Sequence, residues 1–122
     1  MKPDSTLEHA KSIYNAAPSA EKQSAHDYMP DWLRDKIPPL YAQENDKNPV
    51  VWAKLFTPDA QWTWFITEKD PKSGLCFGYV IGLDSELGYI SLDEIFAVRG
   101  SFGLRVERDL WWTPCRLDAV RK

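Results

Sequence analysis

Between residues 50 and 91, four short segments rich in β-branched and aromatic side chains follow one another with only a few turn residues between them. That spacing restricts the fold more than any other feature of the chain. Residues 50–57 (VVWAKLFT) and 61–68 (QWTWFITE) flank Pro58-Asp59, a pair suited to a tight turn, and so predict a hairpin. Residues 75–83 (LCFGYVIGL) alternate large and small, with Leu75, Phe77, Tyr79, Ile81 and Leu83 on one face and Cys76, Gly78, Val80 and Gly82 on the other. The large face is expected to be core, and the small one to let a helix or backbone approach closely. Residues 87–91 predict a fourth strand after a turn at Asp84-Ser85-Glu86, and 106–113 a last edge strand. Strands joined by such short connections pair antiparallel. The expected fold is therefore α+β: one domain with a four- or five-stranded antiparallel meander and short helices packed on one face.

Three helices are expected around this sheet. Ser5 and Glu8 have capping-box spacing, and Leu7, Ala10, Tyr14 and Ala17 recur at helical intervals before Pro18, which predicts a helix over 6–17. Pro30 suits a first helical turn, Met29, Leu33 and Ile37 recur every four residues, and Pro38-Pro39 stops the run. Ser91 with Glu94 caps a third helix, whose apolar stripe is Leu92, Ile95 and Phe96 and which Gly100 is expected to close. Residues 1–28 hold only two aromatics, Tyr14 and Tyr28, and read as an appendage that frays, docks on the body or orders with a partner; residues 29–122 read as the domain.

Composition narrows the function classes. A chain of 122 residues buries a core without disulfides or metal, and no apolar run approaches a membrane span, so no membrane partner is expected. Cys76 and Cys115 match no zinc spacing and read as thiols of a reduced compartment; with no apolar signal stretch near the N-terminus, the expected location is cytoplasmic. Both histidines, His9 and His26, precede residue 29, which removes the usual proton shuttle and commonest metal ligand from the body. The glycines match no phosphate-cradling loop. Carboxylates remain: Asp59, Glu68, Glu107 and Asp109 would make an acid/base pair or a Mg²⁺ site only if the fold gathered them. Solvated strand ends and turns are their commoner setting. No catalytic residue, metal site or cofactor is assigned.

Six of the sixteen aromatics are Trp. Trp62 and Trp64 lie two apart on a strand and share a face, with Ile66 and, if the alternation continues, Glu68. They form either a stacking platform for bases or a partner's side chains, or core beneath a helix. Trp111 and Trp112 point to opposite faces, so at least one leaves the main core. Arg99, Arg105, Arg108 and Arg116 offer forked donors suited to phosphate or carboxylate, although Glu107 and Asp109 flank Arg108 closely enough for an ordinary ion pair.

PPLYAQE (38–44), FTPDAQWTWFITE (56–68), FGYVIGL (77–83), ELGYISLDEI (86–95), VRGSFGL (98–104) and VERDLWWTP (106–114) together resemble the domain of unknown function 2958 family, over about residues 32–118 and in the family's order. Residues 1–28 lie outside the resemblance. It implies a small bacterial cytoplasmic protein of plasmids, conjugative elements or phages, and it supplies no activity and no catalytic residue. The polar members of these blocks, Tyr41, Gln43, Glu44, Asp59, Glu68, Arg99, Glu107 and Arg108, are where a site is sought first.

Three functions compete. The leading expectation is a non-enzymatic binding or regulatory protein of a mobile element that acts by protein–protein contact. It rests on the acidic body (6 basic against 11 acidic side chains over 30–98), the missing body histidine and the aromatics. The second is single-stranded nucleic-acid binding through Trp and Arg, opposed by a net charge of −3. The third is carboxylate-based, metal-assisted hydrolysis. Candidate binding residues are Tyr41, Gln43, Glu44, Trp62, Trp64, Glu68, Arg99, Glu107, Arg108 and Trp112. A homodimer through the aromatic edge at 106–113 is a further expected partner arrangement.

Overall fold

The computed structural model describes residues 6–121. Its centre is a five-stranded antiparallel sheet in the order β5-β4-β3-β2-β6, formed by β2 (Ala53–Phe56), β3 (Thr63–Lys69), β4 (Leu75–Ile81), β5 (Ser85–Ser91) and β6 (Glu107–Arg108). A separate two-stranded ladder joins β1 (Val50–Val51) to β7 (Cys115–Arg116). The fold is the expected α+β domain. The segment 50–57 is divided, however: Trp52 still donates its N–H to the Ile66 carbonyl (2.8 Å), but residues 50 and 51 leave the main sheet to pair with the C-terminal segment.

The three α-helices all contribute to one face of the sheet. Ala10 of α1 (Leu7–Asn15), Leu33 of α2 (Asp31–Arg34) and Ile95 of α3 (Leu92–Ala97) join Ala53, Leu55, Trp64, Ile66, Cys76 and Ile90 in the main core. This inner face of β4 carries the small residues Cys76, Gly78 and Val80, the reverse of the expectation that the large residues are core. The helices cover this face, and at Gly78 a Cβ would sit 1.9 Å from the Phe65 carbonyl oxygen of the paired strand β3, which leaves no room for a side chain there. The outer face carries Phe65 and Tyr79, which pack with Val51, Leu117 and Trp112 in a second cluster under the C-terminal 3₁₀ turn (Leu117–Ala119). Leu75 and Leu83, expected inside, are exposed.

Side-chain caps start α1 and α3. Ser91 Oγ accepts the Glu94 N–H (3.2 Å), as the sequence predicts. The predicted Ser5 cap of the first helix lies outside the described residues; Thr6 Oγ1 accepts from the His9 N–H, and the helix ends at Asn15 rather than 17. The hairpin between β4 and β5 turns at 82–84, closed by the Gly82 N–H on the Asp84 carbonyl (2.9 Å), so residues 85 and 86 belong to the strand and not to the turn. Helix α3 stops at Ala97, and Gly100 does not close it; Gly100 gives room to the Asp59 carboxylate, whose Oδ1 would lie 1.6 Å from a Cβ at that position.

The expected edge strand over 106–113 shrinks to the two residues of β6. After Arg108, the Asp109 N–H still reaches the Lys54 carbonyl, but Asp109 Oδ1 then accepts from the Trp111 N–H (2.9 Å) and turns the chain away. No described helix is long and apolar enough to cross a membrane.

Candidate binding site

Strand β3 carries one irregularity, and it builds the site. The register with β4 runs Ile66 against Gly78 and then Glu68 against Phe77, so a bulge absorbs one residue. The alternation that keeps Trp64 and Ile66 on the inner face therefore breaks, and Glu68 turns to the outer face instead of sharing theirs. There its carboxylate is buried (4% exposed) and takes both N–H groups of a loop far behind it in sequence: Tyr41 on Oε1 (2.8 Å) and Gln43 on Oε2 (2.7 Å). Tyr41 adopts a left-handed φ of 73°, which a non-glycine residue holds only under such restraint.

Gln43 completes the anchor. Its side-chain amide donates to the carbonyls of Thr67 (2.8 Å) and Val50 (3.3 Å), and its Oε1 accepts the Val50 N–H (3.1 Å), so one buried side chain takes the place of a strand residue between β1 and β3. The result is a cleft of about 500 Å³ on the outer face. Its floor is Thr67, Glu68, Phe77, Leu87 and Tyr89 from β3, β4 and β5; its walls are the 41–49 loop and Leu117 with Arg121. Tyr41 (59% exposed) and Tyr89 (57% exposed) meet hydroxyl to hydroxyl at 2.9 Å across its mouth, and Phe77 packs edge-on to Tyr89. The Tyr41 hydroxyl, with partial burial and the Glu68 and Glu44 carboxylates nearby, holds the Tyr89 phenol above its ordinary value.

Four sequence candidates therefore converge here: Tyr41, Gln43, Glu44 and Glu68. Phe77, Leu87, Tyr89, Leu117 and Arg121 were missed. Phe77 and Tyr89 lie directly opposite each other in the β4–β5 register, and only that register, which alternation within one segment does not specify, brings them together. Glu68 and Gln43 spend their polar atoms on backbone groups, and among the described residues no Ser, Cys or His lines the cleft. The arrangement presents aromatic and aliphatic surface with a polar rim, which suits an inserted side chain.

The other candidates scatter. Trp62 stacks on Trp64 (ring centroids 6.0 Å, interplanar angle 23°), but Trp64 is buried and only Trp62 reaches solvent. Arg99 lines the same shallow depression as Trp62 and directs its Nη1 to the carbonyls of Phe96 (3.0 Å) and Val98 (2.9 Å). Trp111 is 81% exposed in a different groove, with Trp112 and Arg108. Trp112 packs against Phe65 and donates its indole N–H to the Val51 carbonyl (3.3 Å).

Arg108 is buried and committed: Nε donates to the Asp27 carbonyl and Nη2 to Gln23 Oε1, both at 2.8 Å, rather than pairing with Glu107 or Asp109. Burial lowers its pKa. Glu107 sits half-buried on β6. Asp59 ties down the 99–105 loop through the N–H groups of Phe102 (2.6 Å) and Leu104 (3.2 Å). The carboxylates Asp59, Glu68 and Glu107 thus serve three separate places. Among the described residues, no group of three His, Cys, Asp or Glu side chains is placed to hold a metal ion.

Comparison with known proteins gives one family: the model described as "Protein of unknown function (DUF2958)" matches residues 7–117. The match reaches back through α1, farther than the resemblance over 32–118, in keeping with Ala10 being fully buried in the main core. No curated protein and no solved structure matches the chain.

Proposed function

The chain belongs to the DUF2958 family, and from that premise we propose that it is a non-enzymatic binding protein that receives an apolar side chain of a protein partner in the Tyr41–Tyr89 cleft. The observation that carries this reading is the cleft's chemistry. Tyr41, Leu87 and Tyr89 are exposed around about 500 Å³ of space, while the three buried polar side chains beneath them, Gln43, Thr67 and Glu68, are all bonded to backbone. Exposed aromatics over a rigid floor give contact area at little entropic cost, the usual makeup of an interaction hot spot. The setting that goes with this reading is the cytoplasm of a bacterium carrying a plasmid, conjugative element or phage, where such a protein would regulate host defence or transfer.

The test is quantitative affinity capture from bacterial lysate with wild type, Phe77→Ala and Trp62→Ala. Loss of a specific protein with Phe77→Ala and its retention with Trp62→Ala supports the cleft. Retention with both variants overturns it. Salt-sensitive recovery of single-stranded nucleic acid, lost with Trp62→Ala, would favour the nucleic-acid reading instead, which the single exposed indole beside Arg99 supports only weakly.

A further inference from the structure

The two edges of the sheet are treated differently. At one end β6 is two residues long, and its outer side is covered, since the Arg108 N–H donates to the Ala25 carbonyl (2.7 Å) and the Arg108 side chain holds residues 23 and 27 beside it. The expected dimer edge at 106–113 is therefore already occupied by the protein's own chain. At the other end β5 is seven residues long and pairs only with β4; among the described residues no hydrogen bond reaches its outer side.

Edges left open in this way normally carry protection, in the form of Pro, Lys, a bulge or an inward charge. The β5 sequence SELGYIS has no Pro and no Lys, its register with β4 is uninterrupted over all seven residues, and its one charge, Glu86, is near the end. We propose that this edge pairs with the same strand of a second copy, antiparallel about a two-fold axis at Gly88.

Three observations favour a second copy over an unrelated strand. First, the strand is self-complementary. Pairing about its central residue sets Leu87 opposite Tyr89 of the second copy, Glu86 opposite Ile90 and Ser85 opposite Ser91, so that no like charges meet and each exposed apolar residue faces another. Secondly, the central position is open: nothing lies within 4 Å of where a Cβ on Gly88 would be, so neither copy obstructs the axis. Thirdly, the same register carries the hairpin tip, with Leu83 at 94% exposure, past Ser91 of the second copy alongside the start of its α3, so the tip lies against the second copy and no longer projects into solvent alone. A two-fold pairing is closed, so it uses both edges and leaves none for further addition. The resulting ten-stranded sheet would set the two Tyr41–Tyr89 clefts side by side on one face. This inference rests on the sheet edge and not on what the cleft binds.

Sedimentation equilibrium of the full chain across a concentration series tests it. The expected result is a particle of twice the 14.1 kDa chain mass that reverts to single chains in the double variant Leu87→Lys, Tyr89→Lys, with the circular dichroism spectrum confirming that the variant is folded. Gly88→Cys supplies a second readout that needs no disruption: a short thiol cross-linker should join two chains through position 88, with wild type treated alike as the control. A single-chain mass for wild type up to several hundred micromolar overturns the proposal. So does a dimer that survives in the folded double variant, or one that gives no more cross-linked product with Gly88→Cys than with wild type.

Discussion

The Glu68 carboxylate accepts the backbone N–H of Gln43 at 2.7 Å, across 25 residues of sequence. Its other oxygen takes the Tyr41 N–H. A loop with no regular structure is thereby fixed against the sheet by one side chain from a bulged strand, and the cleft exists because of it.

Glu68→Gln keeps the shape but replaces one accepting oxygen by a donor that must face a backbone N–H. The expected cost is about 2–3 kcal/mol, the scale of a charge-assisted bond lost with a buried donor left unpaired. Glu68→Ala should cost about as much or more, since both N–H groups lose their acceptor. Urea denaturation at pH 7 measures both; a change below about 0.5 kcal/mol for either variant would show that the loop is held by other contacts.

Tyr41 pays for its left-handed backbone, whereas glycine does not. Tyr41→Gly is therefore expected to be more stable than Tyr41→Ala by about 1 kcal/mol, although both remove the ring from the cleft mouth. Paired thermal melts reveal the difference. Equal stabilities would mean that the loop relaxes out of the left-handed conformation once the ring is gone.

Arg108 fastens residues 23–27 to the covered sheet edge through three hydrogen bonds, and its guanidinium lies over the Trp32 ring at 5.8 Å. Arg108→Lys retains charge but not the forked geometry and should cost about 1–2 kcal/mol; Arg108→Ala should cost about 2–4. Hydrogen exchange adds the location. The Asp27 amide, which bonds the Ser24 carbonyl, should lose protection in Arg108→Ala before amides of β3 do.

Burial pushes the Cys76 thiol up from 9.0 to about 12. In the unfolded chain the thiol ionises near 9.0, while the folded protein keeps its proton, so this contribution to stability is complete below pH 9 and is lost as pH rises toward 12. The slope in that window is at most about 1.4 kcal/mol per pH unit. Burial also raises the Tyr14 phenol, whose hydroxyl donates to the Trp52 carbonyl, and this adds a second loss above pH 10. Urea unfolding at pH 8 and pH 10.5 should show a smaller drop for Cys76→Ala than for wild type, by about 2 kcal/mol. Parallel drops would show that Cys76 contributes nothing to the alkaline loss.

Much of this protein can be read along the chain. The hairpins, the Ser91 cap, the burial of Met29, Leu33 and Ile37, and the shared face of Trp62 and Trp64 follow from periodicity and turn chemistry, which depend on neighbours within a few residues. Tyr41, Gln43, Glu44 and Glu68 are polar members of the blocks that carry the family resemblance, and they meet. What they meet to form was not legible. The bulge that turns Glu68 outward, the alignment of Phe77 with Tyr89, the docking of α1 and the covering of one sheet edge by residue 25 all depend on pairs separated by 9 to 83 positions. Alternation tells which residues share a side of a strand. Which side is covered depends on what the rest of the chain can reach: the helices cover the small face of β4, and a bulge turns Glu68 outward, against the assignments that the pattern alone suggests.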